Sequence, residues 1–256
     1  MKMPDSDALI HRECFHIRSY EIDPHKNLAP ASLVRLMQEA SMRHVINLNL
    51  SVWDLEPQGL SWVLIRQSFQ IHQLPALGQF IEVITHPSGF EKVFTHRDFR
   101  VLDEHGEEIA TASTTWLLLN TASRRMTRIP AALLDFNQIL PPANKFLPRT
   151  PEKMPEFVRT DYSKSFRVGW FDLDFNFHLT NSLYVAWMLE TNEHSFLREA
   201  QLQEMQVWYL AEGLPDDQLE GETEIIDNRH RIHRLVRSSD GKILAMGSSF
   251  WKQKSP

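Results

Sequence analysis

Hydrophobic and polar positions change period several times along the chain, and each change predicts an element. From Phe15 to Ile22 the residues FHIRSYEI alternate apolar and polar, the period of a half-buried strand. Asp23-Pro24 then predicts a turn, and Pro30 opens a helix in which Leu33, Leu36, Met37, Ala40 and His44 fall on one face. Strands are predicted over 60–71, 80–86, 92–102 and 108–120, broken at Leu74-Pro75 and Gly78, at Pro87-Ser88-Gly89, and at 103–106. Residues 1–12 read as a loose terminus. A helix followed by a run of strands is an α+β layout with antiparallel sheet, not an alternating βαβ one.

Pro130, Pro141, Pro142, Pro148, Pro151 and Pro155 interrupt regular structure after that, apart from a short helix over AALLDF. The expected boundaries are a first repeat over 1–135, a Pro-rich linker over 136–160 and a second repeat over 161–256. The pattern does repeat. At an offset of 151 positions, Val168 meets Ile17, Asp174 meets Asp23, Leu179 meets Leu28, Val185 meets Val34 and Met188 meets Met37. Near the ends an offset of 135 sets Gly241 on Gly106 and Trp251 on Trp116, so the chain is a two-copy duplication. Either the duplicated chain acts as its own pseudo-dimer or two chains pair as a homodimer; both fit.

The second copy carries the most distinctive stretch, DLDFNFHLTNSLYVAWMLE over 172–190. Asp174, Asn176 and His178 alternate with Leu173, Phe175, Phe177 and Leu179, which in an extended segment puts a carboxylate, an amide and an imidazole on one face. Leu183, Ala186, Trp187 and Glu190 then recur at helical spacing, with Asn181 or Ser182 as the expected N-cap. Backbone N–H groups at such a helix start favour developing negative charge. The first copy has Asp23, His25 and Asn27 instead, a scrambled set. Chemistry is therefore expected in the second copy, with the first completing the site and binding substrate.

Composition narrows the class. At 256 residues and 42% hydrophobic content the chain can bury a real core. No apolar run approaches a membrane span and the first residues hold no signal-peptide segment, so a soluble cytoplasmic protein is expected. Cys14 is the one cysteine, which excludes an internal disulfide and any multi-cysteine metal site. A net charge of −6 offers nucleic acid no general attraction. The basic clusters Arg124/Arg125/Arg128, Arg229/Arg231/Arg234/Arg237 and Lys145/Arg149/Lys153 are either solvated edges or docks for an acidic protein or phosphate-bearing ligand. His230 and His233 fall on opposite faces of a strand, unsuited to a metal pair, and no HExxH, GxSxG, GxGxxG or Walker pattern occurs. No metal or cofactor is predicted.

These residues resemble a known family. WFDLDFNFHLTNSLYVAWMLE is similar to the D-x-N-x-H-V-N-N-x-x-Y-x-x-W-x-L-E signature of the acyl-acyl carrier protein thioesterases of plastids and bacteria, here in a bacterial-type form without a transit peptide. RSYEIDPHKNLAPASLVRLMQEASMRHV and SWVLIRQSFQIHQLPALGQFIEV resemble that family's first helix and following strands, so the likeness runs from about Ile17 to Trp251. It implies a double hotdog fold, two tandem repeats with antiparallel sheets each wrapped around a central helix. It also implies hydrolysis of fatty acyl-acyl carrier protein thioesters, terminating fatty acid synthesis. The family's catalytic aspartate, asparagine and histidine fall on Asp174, Asn176 and His178. Its glutamate, 34 positions after the histidine, falls on Glu212. A cysteine often follows that glutamate; Gly213 stands here, which removes a cysteine-histidine mechanism. The V-N-N of the signature is Leu179, Thr180, Asn181 in this chain.

On that reading Glu212 or Asp174 accepts the proton of a water, His178 relays it, Asn176 holds water or substrate, and N–H groups near Asn181 to Leu183 stabilise the oxyanion. Leu33, Met37, Trp62, Leu64 and Asn181 are the expected substrate-binding residues, the apolar ones walling an acyl tunnel. Arg124, Arg125 and Arg128 are the expected dock for the acidic carrier protein. An acyl-CoA thioesterase of the same fold and a non-catalytic acyl-binding hotdog protein are the competing readings.

Overall fold

The computed structural model describes residues 6–253. The chain divides into two compact units. The first runs to Leu28 and takes in Arg35–Gln67 and His72–Thr150; the second takes Ala29–Val34, Ser68–Ile71 and the chain from Pro151. In chain order the elements are β1 (His11–His16), α1 (Pro30–Asn47), α2 (Val52–Leu55), β2 (Leu60–Ile71), β3 (Phe80–Phe90), β4 (Phe94–Asp103), β5 (Glu108–Asn120), β6 (Arg125–Thr127) and α3 (Ala131–Leu134). They continue with β7 (Tyr162–Arg167), α4 (Asn181–Glu190), α5 (His194–Glu199), β8 (Ala200–Tyr209), β9 (Gln218–Ile225), β10 (His230–Arg237) and β11 (Ile243–Gln253).

The two units share one topology. The first orders its strands β1-β3-β4-β5-β2 and the second β7-β9-β10-β11-β8, with β6 added beside β5. The pairings β1–β3, β3–β4, β4–β5, β7–β9, β9–β10, β10–β11 and β11–β8 are all antiparallel. The predicted face of α1 is buried throughout: Leu33, Leu36, Met37, Ala40 and His44 have almost no exposed surface. In the second unit α4 packs on β9, β10 and β11. Its approach is permitted by Gly221 in β9, where a Cβ would stand 2.5 Å from the Thr191 Cγ2 and 2.9 Å from the Phe166 ring. Among the described residues no helix is long and apolar enough to cross a membrane.

Several sequence expectations are corrected. The strand expected over Phe15–Ile22 ends at His16, because the Glu21 carboxylate accepts the Arg18 N–H (2.8 Å) and bends residues 18–21 into a turn. The break expected at Pro87-Ser88-Gly89 is instead a bulge within β3, with the register shifting between Pro87 and Gly89. Proline withholds a ladder N–H there, while the buried Ser88 hydroxyl donates to Asp98 Oδ1 (2.8 Å) and keeps the strands together. The start of the chain is not loose over its described part: Leu9 is buried in a cluster with Leu133 and Phe136, and His11 already opens β1. Residues 1–5 lie outside the described residues.

The Pro-rich segment is strapped down rather than free. In the first unit the Leu147 N–H donates to Asp98 Oδ2 (2.8 Å) and Arg149 to the Ser88 hydroxyl (2.9 Å). In the second, the Trp208 indole donates to the Pro151 carbonyl (2.7 Å), the Val158 N–H to Glu224 (2.7 Å), and Phe157 packs on Trp208, Ile232 and Met246.

Candidate active site

Residues 172–180 are not an extended segment. Leu173 and Leu179 form an isolated antiparallel bridge, and between them the chain makes a tight turn in which the Asp174 N–H donates to the His178 carbonyl (2.8 Å) and the Phe177 N–H to the Asp174 carbonyl (3.0 Å). The Asp174 carboxylate closes it from within, its Oδ1 accepting the N–H of Asn176 (2.8 Å) and of His178 (3.2 Å). Short acidic side chains bond the backbone two residues on in this way, and that local preference overrides the strand-like alternation. Phe177 takes the left-handed φ of 61° that the turn requires. The apolar residues of the alternation do not share one buried face: Leu179 is buried, whereas Phe175 and Phe177 are exposed, and Phe177 meets Trp170 edge to face.

The first unit contains the same turn. Ile22 and Leu28 form the bridge, the Asp23 N–H donates to the Asn27 carbonyl (2.8 Å), Asp23 Oδ1 accepts the His25 N–H (2.8 Å), and Lys26 sits at φ 64°. The correspondence extends to the neighbouring segment. The Leu28 N–H donates to the Pro75 carbonyl (2.8 Å), as the Leu179 N–H does to the Gly213 carbonyl (2.9 Å). Leu74, just before Pro75, therefore holds the position that Glu212 holds in the second unit. The turn is common to both repeats; the carboxylate beside it is not.

Glu212 and the turn meet. His178 Nε2 lies 3.4 Å from Glu212 Oε2, with each side chain about a quarter exposed. The Glu212 carbonyl accepts from Arg237 Nη2 (2.7 Å), and Arg237 is itself held by Asp217 (2.9 Å). The Tyr184 hydroxyl, from the first turn of α4, accepts the Gly213 N–H (2.7 Å) and donates to the Ala211 carbonyl (3.2 Å). Burial pushes this hydroxyl well above its ordinary pKa against the opposing Gly213 N–H, and the charges of Glu212 and Asp174 push the same way as burial, so it stays a donor. Tyr184 did not stand out as a site residue in the sequence, although it is a fixed position of the resemblance signature, and Arg237 stood out only as a member of a basic cluster, not as a support for Glu212.

The expected N-cap at Asn181 or Ser182 is also corrected. Thr180 is the N-cap, without a side-chain capping bond, and α4 begins at Asn181. Asn181 is half-buried, its carbonyl 3.4 Å from the Tyr209 hydroxyl. Of the other expected residues, Leu33, Met37 and Leu64 are core positions, and Trp62 packs against the cluster around Leu50 and Phe136 with its indole donating to the Leu50 carbonyl (3.0 Å). Arg124, Arg125 and Arg128 are exposed, on or beside β6.

Gly213 has a steric reason. A Cβ there would stand 2.9 Å from Leu179 Cβ and 3.3 Å from its Cδ2, while the bond between the two backbones holds the residues together. Gly213→Cys, which installs the cysteine the resemblance leads one to look for, should destabilise the protein by about 1–3 kcal/mol and lower Tm by several degrees without creating a nucleophile. Thermal unfolding checks this; an unchanged Tm would refute the crowding.

Residues 8–136 match the family described as acyl-ACP thioesterase N-terminal domain, and residues 156–253 that described as acyl-ACP thioesterase C-terminal domain. Over 98% of its length the chain is 27% identical to the chloroplastic palmitoyl-acyl carrier protein thioesterase of Arabidopsis thaliana, of which it spans 66%, just under two thirds. Its fold is similar to that of the 12:0-ACP thioesterase from Umbellularia californica, with a TM-score of 0.84 and 23% identity, covering 96% of this chain and 98% of that one. An acyl-ACP thioesterase from Bacteroides thetaiotaomicron gives a TM-score of 0.83 at 17% identity, covering 97% of this chain and 100% of the other. The fold is the double hotdog. With both halves matched, the chain belongs to the acyl-ACP thioesterase family.

Proposed function

We propose that this protein hydrolyses the thioester of fatty acyl-acyl carrier protein and releases the free fatty acid. The observation that carries the reading is the 3.4 Å approach of His178 Nε2 to Glu212 Oε2 beside the start of α4. A carboxylate and an imidazole in contact, both partly open to solvent, can divide the two proton transfers of thioester hydrolysis. Glu212 takes a proton from the attacking water as the C–O bond forms. His178, in its protonated form, gives one to the departing sulfur as the C–S bond breaks. Passage of the Glu212 proton to His178 across their contact then restores both groups.

Asp174 is the weaker candidate for base, because one of its oxygens is committed to two N–H groups of the turn. Its role is to fix where His178 and Asn176 leave the backbone, and Asn176 is assigned the holding of water or substrate. The carbonyl oxygen of the substrate, negative in the tetrahedral intermediate, is assigned to the N-terminus of α4 around Asn181, where the first N–H groups of a helix have no acceptor within it. The first repeat, with Leu74 opposite Glu212, is assigned to substrate binding. Leu33, Met37, Trp62 and Leu64 are its proposed acyl-contacting residues, each buried methylene contributing about 0.8 kcal/mol.

The experiment that tests the reading is thiol release from carrier-protein thioesters of several chain lengths, run beside the matching coenzyme A thioesters. Turnover of carrier-bound substrate well above that of coenzyme A esters is expected. No thiol release from either, despite acyl binding, would overturn it. Charge reversal at Arg124 and Arg125 should raise KM for carrier-bound substrate several-fold while leaving KM for coenzyme A esters nearly unchanged. Equal changes for both would move the dock elsewhere.

A further inference from the structure

We infer that Tyr184 is a positioning residue for Glu212, holding the peptide units on both sides of it, an inference that rests on the proposed role of Glu212 as base. The tyrosine oxygen makes two bonds, one from the Gly213 N–H (2.7 Å) and one to the Ala211 carbonyl (3.2 Å). Glu212 lies between those two residues, and its own carbonyl is held by Arg237. One hydroxyl on α4 thus spans the segment that presents the carboxylate to His178. A helix packed on a sheet is a firmer support than the loop after β8, from which Glu212 projects.

The duplication supplies an internal control. At the offset of 151 positions that aligns the two helices, Tyr184 meets Leu33, which has no hydroxyl. The hydrogen bonds to Leu28 and Leu179 align Gly213 with Pro75, which has no N–H to donate, and Glu212 with Leu74, which has no carboxylate. The turn itself is kept in both repeats, with the same bonds and the same left-handed residue. Hydroxyl, N–H and carboxylate are therefore present together in one copy and absent together in the other. If Tyr184 served only to pack α4 on its sheet, a partner N–H would have no reason to disappear with the carboxylate.

The test is a double-mutant cycle on the full chain, with dodecanoyl and hexadecanoyl carrier-protein thioesters as substrates. Tyr184→Phe, which removes only the oxygen, is expected to lower kcat by 10- to 100-fold with KM within about twofold, because a misplaced catalytic group costs rate rather than substrate binding. In a Glu212→Gln background the same change should have almost no further effect on kcat. Arg237→Met, which releases the Glu212 carbonyl without touching α4, should give the same non-additive result and serves if Tyr184→Phe fails to fold. Full multiplication of the Tyr184 and Glu212 effects, or a Tyr184→Phe loss carried entirely by KM, would overturn the positioning role. Wild-type turnover in Glu212→Gln alone would instead bring down the proposed function.

Discussion

Glu212→Gln should fold normally and lose two to three orders of magnitude in kcat on carrier-bound acyl thioesters. The substitution keeps the size of the side chain and its capacity to hydrogen-bond His178, but removes the charge that takes the proton from water. General base catalysis by a positioned side chain contributes about 10²–10⁴-fold, which sets the scale. His178→Ala should lose well over tenfold, and less than Glu212→Gln, since a thiolate leaves readily without full protonation. Asp174→Asn should cost far less than either, because the amide oxygen can still accept the N–H groups of Asn176 and His178 that Oδ1 accepts now. Steady-state thiol release on the three variants separates these roles. Near wild-type rates for both Glu212→Gln and His178→Ala would end the scheme, and a Glu212-like loss in Asp174→Asn would shift the base to Asp174.

The duplication was legible in residues alone because paired apolar positions, such as Val168 with Ile17 and Met188 with Met37, recur without gaps across the turn and the helix. Periodicity also located the buried face of α1, since a helix packed on one side must repeat its apolar positions every three or four residues. What misled was the stretch from Leu173 to Leu179. Its alternation matches a strand, yet Asp174 offers its carboxylate to nearby N–H groups, and that bonding folds the segment back on itself. The first copy held the warning: Pro24 and Lys26 stand where Phe175 and Phe177 do, so alternation is absent from one of two equivalent segments. Pairing of Glu212 with His178 was not derivable from spacing within this chain, because they are brought together by the bond between Leu179 and Gly213. The part that Tyr184 and Arg237 play beside Glu212 was missed for a related reason. Both act on the backbone around Glu212, and backbone partners leave no periodic trace in a sequence.

Acid should unfold this protein before its carboxylates are titrated, because two histidines are buried neutral. His233 in β10 has no exposed surface; its ring bonds the hydroxyls of Thr223 (2.8 Å) and Ser249 (2.7 Å), and Thr223 continues to Thr191 (2.5 Å) at the end of α4. Burial, reinforced by the charge of Arg231 and by His230, pushes its pKa down to about 3. His44 near the end of α1 is buried likewise. Its Nδ1 faces Arg97 Nη1 at 3.0 Å and must accept, since a guanidinium only donates, so its Nε2 proton goes to the Ala8 carbonyl (2.9 Å). Burial and then the charge of Arg97 lower this ring to about 3 as well, against the pull of the Ala8 carbonyl. The unfolded chain protonates both rings near pH 6.5 while the folded chain does not. Their contribution is therefore complete above pH 6.5 and is lost as pH falls from there toward 3, on the order of 4 kcal/mol for each at the lower end. Together that is comparable with the 5–15 kcal/mol that holds an ordinary domain folded. Urea midpoints measured from pH 7 to 4.5 should fall steeply in the wild type. His233→Gln, although less stable at pH 7, should follow a shallower slope, with roughly 2–3 kcal/mol less lost over that interval. Parallel curves for the two proteins would mean that His233 takes its proton as readily inside the fold as outside it.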